Sequence, residues 1–166
     1  MLTLKLGILA VLLGAAVATG AEQQRMPTPA VEVERRAVED LTSRFLASFE
    51  RLDMSAFIAC FADDATVFFP SPEPPERFRG KAAVLSHFQK VFEGIRRNAP
   101  SGPPYHRLEP QDFEVQLLGA DAAVVSFHLR NSERLARRTL VLEKIGGKWL
   151  IAHLHASNIR ASASRQ

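Results

Sequence analysis

The sequence predicts an α+β domain in which N-terminal helices cover one face of a curved antiparallel sheet. Three observations carry this. Residues 31–52 and 84–95 repeat apolar side chains at three- and four-residue spacing, the signature of helices buried on one side. From Tyr105 onward the chain is strand-like, with Phe113, Val115 and Leu117 alternating against polar neighbours. A hairpin then folds back at Gly146-Gly147, the residue pair that tolerates positive φ at the centre of a two-residue turn. Helices first and strands afterwards is an α+β order. The sheet has to bury a face, and only the helices can cover it. A pocket between the two layers is therefore the expected binding site.

In chain order, Lys5 is followed by a 16-residue uncharged stretch, Leu6 to Ala21, that ends in small residues. It is shorter than the roughly 20 residues that span a bilayer. The expectation is a signal peptide over residues 1–21, cut after Ala18 or Ala21. The product would be exported, periplasmic or secreted, with no membrane span after processing. Residues 22–30 are polar and proline-containing and read as a linker. Val38, Leu41, Phe45, Phe49 and Leu52 stripe the first helix. Asp53 can cap a short second one over 54–61. Residues 65–69 form a β run, and Pro70, Pro72, Pro74 and Pro75 impose a loop. Gly80 precedes the third helix, which ends near Asn98. Strands follow with turns at 119–121, 131–133 and 146–147. The domain spans 31–159 and residues 160–166 form a tail.

Without residues 1–21 the formal charge falls from +3 to +2, too balanced for a nucleic-acid footprint. Cys60 lies in the apolar run 56–61 and is read as a small buried hydrophobe. Arg134, Arg137 and Arg138 form a basic cluster, read first as a solvated hairpin end and second as an anion site. No cofactor is called for. A metal is not expected, since no carboxylate lies at ligand spacing from His153 and His155.

The stretches Phe61–Val67, Arg79–Ala83 and Gly147–His155 resemble the SnoaL-like branch of the cone-shaped nuclear transport factor 2-like superfamily, over about residues 31–159. That branch includes the association (hub) domain of calcium/calmodulin-dependent protein kinase II. The resemblance implies three N-terminal helices packed on a curved antiparallel sheet. Steroid Δ-isomerases of the superfamily use a carboxylate base and a tyrosine. Aligned without gaps, these roles fall on Phe69 and Phe45, which can perform neither, so that activity is rejected. Asp63 and Asp64 are read as turn and capping residues at a helix end. The hub-domain pocket histidine resembles His106. Two of its pocket arginines fall on His128 and Leu140.

A two-residue turn at Gly146-Gly147 would pair Leu140 with His153, Arg138 with His155 and Leu142 with Ile151. Arg138, Trp149, His153 and His155 would then share one face with Leu140. Because Leu140 matches a pocket position, that face is expected to be concave, with His128 joining it by its own match. The candidate ligand-binding residues are therefore His106, His128, Arg138, Trp149, His153 and His155, with no catalytic residue assigned. The leading reading is an exported protein that binds a small, acidic or polar aromatic ligand. The alternatives are a lyase or isomerase using His128 or His153 for proton transfer, and a self-assembling module. Assembly, to a dimer or larger, would use an outer face of Val141, Leu150, Ala152 and Leu154.

Overall fold

The computed structural model describes residues 28–70, 77–99, 101–130 and 134–160. The expected signal peptide, most of the linker, most of the proline loop, the 131–133 turn and the tail beyond 160 lie outside them. Helix α1 runs Pro29–Arg51, α2 Met54–Ala59 and α3 Lys81–Asn98. The strands are β1 Phe61–Phe68, β2 Arg77–Arg79, β3 Gln111–Leu117, β4 Ala122–Arg130, β5 Arg134–Ile145 and β6 Lys148–Arg160. They form one sheet in the order β2-β1-β6-β5-β4-β3. The helices cover one face of it, so the α+β cone is the fold. The sheet is mixed rather than purely antiparallel, because β1 joins β6 in parallel.

Local chemistry sets the boundaries. Pro29 occupies the first turn of α1, where its missing N–H costs nothing. Leu52 ends α1 with φ 53° and is buried. The Asp53 side chain accepts from the Ala56 N–H at 3.0 Å and caps α2 as expected. Asp63 and Asp64 lie within β1 and are exposed, not at a helix end, because α2 stops at Ala59. Residues 105–110 are not strand. The Tyr105 and Leu108 N–H groups instead bond the Glu50 carbonyl at 2.8 Å and its carboxylate at 2.6 Å. Gly146 and Gly147 have φ of 56° and 77°, as a two-residue hairpin requires.

The hairpin register holds only as far as Leu142–Ile151. There a β-bulge leaves Ala152 without a partner on β5, and Val141 pairs with His153, Leu140 with Leu154, Thr139 with His155 and Arg138 with Ala156. A one-residue slip moves every later side chain to the other face. Burial gives the reason. Trp149, Ile151, Leu154 and Ala156 all lie in the core, and only an extra residue between Ile151 and Leu154 allows that. Were Ala152 paired in strict alternation, His153 would enter the core and Leu154 would face out. The core beneath is ring-rich: Phe57 and Phe88 lie 4.6 Å apart, and Phe45 and Phe61 meet edge-on at 5.9 Å.

Candidate functional site

Between the concave sheet face and helices α1 and α3 lies a cavity of about 90 Å³. Phe45 and Phe49 reach it from α1, Phe88 from α3, Phe127 from β4, and Phe69 from just beyond β1. Among the described residues that line it, Arg138 is the one titratable group. Strand parity places it there: Arg138 pairs with Phe127 on β4 and Ala156 on β6, both buried on the concave side. Its Nη1 donates to the Arg137 carbonyl at 2.8 Å, the Ser157 carbonyl at 3.2 Å and the Asn158 Oδ1 at 3.4 Å. These bonds fix one corner of the guanidinium and leave Nε and Nη2 without a partner among the described residues. No described carboxylate pairs with it. Burial lowers its pKa to about 10, so it remains a cation at any ordinary pH.

Arg138 also lines a groove of about 310 Å³ that shares Leu108 and Leu129 with the cavity and forms its mouth. His106, Arg107, Glu109 and Arg130 border that groove. The exposed His106 ring lies 6.0 Å from the Phe49 ring. Thus His106 and Arg138, of the residues the sequence singled out, meet at one opening.

The other four lie elsewhere, and the expected common cavity of His128, His153 and Arg138 is corrected. The bulge at Ala152 turns His153 and His155 to the outer sheet face. His153 Nδ1 bonds Thr66 Oγ1 at 2.7 Å, and burial, then His155 and Arg77, hold its pKa below the usual imidazole value. His155 is exposed beside Phe68. His128 pairs with Arg137, not Arg138, so it too is on the outer face, with Nδ1 3.0 Å from Asp112 Oδ2. Two strand spacings, roughly 10 Å, separate β4 from β6, too far for His128 and His153 to share a metal. His128 and Leu140, paired by the hub-domain likeness, lie on opposite faces. Trp149 is buried, and its Nε1 donates to Glu34 Oε2 at 2.8 Å, while Lys144 Nζ donates to Oε1 at 2.5 Å. The hydrogen bonds from Lys144 and Trp149 lower the Glu34 pKa. Trp149 thus clasps α1 to the hairpin and takes no part in the cavity. Of the expected outer apolar set, Val141 faces out, but on the histidine side, Leu150 packs half-buried against the core, and Leu154 is buried within it.

The site residues that sequence reasoning missed are the phenylalanines. Their helical spacing marked Phe45, Phe49 and Phe88 as core. The isomerase alignment did point at Phe45 and Phe69, and both line the cavity where that chemistry would sit.

A cone of helices over a curved sheet, with an apolar cavity between the two layers, defines a nuclear transport factor 2-like fold. The chain belongs to the SnoaL-like domain family, which it matches over residues 38–161. It is similar in structure to a nuclear transport factor 2-like protein of unknown function from Pseudomonas putida. That pair shares 22% identity and a TM-score of 0.64, over 76% of this chain and 87% of the other. It is also similar to a ketosteroid isomerase-like protein from Erwinia carotovora atroseptica, at 23% identity and a TM-score of 0.62, over 76% and 96% of the two chains. A protein with a cystatin-like fold from Nostoc punctiforme matches at 17% identity and a TM-score of 0.59, over 76% and 92%. No curated protein matches the sequence.

Proposed function

We propose that this SnoaL-like domain binds a small monocarboxylic acid, with the carboxylate on Arg138 and the apolar body among the phenylalanines. The observation that carries this is a half-buried guanidinium, two of its nitrogens unpartnered, beside an otherwise apolar cavity. The two free nitrogens reach solvent at the groove, so a carboxylate there would replace water with a two-pronged, charge-assisted hydrogen bond. The basic residues at the mouth would favour entry of an anion. Proton-transfer chemistry is not part of the reading: the histidines offered as acid or base, His128 and His153, face away from the cavity. Small acids should raise the melting temperature while matched alcohols and amides do not. Because Arg138 titrates near 10, the rise should be level from pH 6 to pH 9. Arg138→Met should abolish it. A rise equal for acids and amides, or undiminished in the Arg138→Met protein, contradicts the reading.

Export is part of the same proposal, supported by the uncharged stretch Leu6–Ala21 and its small-residue end. Protein purified from its native host should begin at Thr19 or Glu22. A mature chain starting at Met1 defeats it.

A further inference from the structure

We propose that the acid bound at Arg138 carries a single aromatic ring, that is, an arylcarboxylate of benzoate or phenylacetate size; this rests on the acid-binding reading above. Five of the residues lining the cavity are phenylalanines: Phe45, Phe49, Phe69, Phe88 and Phe127. They do not stack into a closed plug. Phe49 and Phe88 meet at 84°, and Phe69 and Phe88 at 74°. Crossed rings of this kind surround the cavity with both faces and edges. A flat guest ring can then pack edge-to-face or offset, as aromatic quadrupoles prefer. A puckered ring or a flexible chain fills the same space without that attraction, and the chain also loses rotamer freedom.

Size restricts the class further. A dry cavity of about 150 Å³ accepts one benzene. The cavity itself is about 90 Å³, smaller than that, but it continues past Arg138 into the mouth groove, so a ring fits by reaching into that opening. One ring, seated at the boundary with its carboxylate toward Arg138, matches that continuity. Arg138 lines both spaces, so it stands where the apolar body ends and water begins.

The test is calorimetric titration of the domain with benzoate, phenylacetate, cyclohexanecarboxylate and hexanoate, with benzyl alcohol as the uncharged control. The two aryl acids should bind roughly three- to tenfold more tightly than the two saturated ones, the range of an aromatic pair. Benzyl alcohol should bind far more weakly than either group. Phe49→Leu keeps an apolar wall but removes one ring, and should bring the ratio of benzoate to cyclohexanecarboxylate affinity toward one. Should that variant fail to fold, the four-acid comparison on the unaltered protein decides alone. Saturated acids binding as well as aryl acids would overturn this inference and leave the acid-binding reading standing. Binding of none of the four acids would overturn both. A preference for benzoate that survives in folded Phe49→Leu would place the ring away from Phe49 and overturn the inference.

Discussion

Arg138 and His87 both stand against apolar surroundings, and they differ in what each leaves unpaired. Arg138 keeps two nitrogens free beside a cavity, which an incoming anion can use. His87 on α3 instead has an orphan: its Nε2 is buried and has no hydrogen-bond partner among the described residues. The ring stacks on Phe78 at 4.0 Å and meets Phe69 edge-on at 5.1 Å. Burial, then Lys90, lowers its pKa from the usual 6.5. The folded state therefore binds a proton less readily than the unfolded chain. Stability is full above pH 6.5 and declines as pH falls through that value, with His153 acting in the same direction. His87→Leu should remove part of that acid loss and cost nothing at neutral pH, or gain about 1 kcal/mol from losing an unsatisfied polar atom. Urea unfolding at pH 7.5 and pH 5.5 checks this. An acid loss unchanged in the variant would mean His87 is not its source.

The element that decides the site is β6. Strict alternation counted from the Gly146-Gly147 turn misplaces its second half. The same stretch contains the contrary signal. Trp149, Ile151, Leu154 and Ala156 cannot share a face at a period of two without an extra residue, and Ala152 is that residue. Deleting Ala152 would remove the bulge and leave Trp149, Ile151, Leu154 and Ala156 at a strict period of two, with His153 still outside. The deletion should therefore be tolerated, with a urea midpoint near that of the parent. A loss of about 3 kcal/mol or more, the size of a leucine expelled and an imidazole buried in its place, would contradict the assigned role of the bulge. By contrast β4 was legible to its ends, and α3 nearly so, because both stand between clear turn or cap signals and neither is interrupted.

For the whole molecule, the sequence carried the layer order, the hairpin and the family likeness. These depend on periodicity and on glycines with positive φ, both of which are local. The parallel β1–β6 pairing was not legible, since it joins residues far apart in the chain. Nor was the split between Arg138 and the histidines, which for His153 and His155 hangs on the unpaired Ala152 and for His128 on the β4–β5 register. The phenylalanine wall was visible only as core, because a cavity-lining ring and a packed ring have the same pattern. What the fold assembles from these parts is an apolar recess with the Arg138 guanidinium at its edge. A crystal structure of the domain grown with benzoate tests this most directly. The carboxylate should lie within hydrogen-bond distance of the Arg138 guanidinium, with the ring against Phe49 and Phe88. An empty cavity with benzoate seated among His128, His153 and His155 on the outer face would contradict the account.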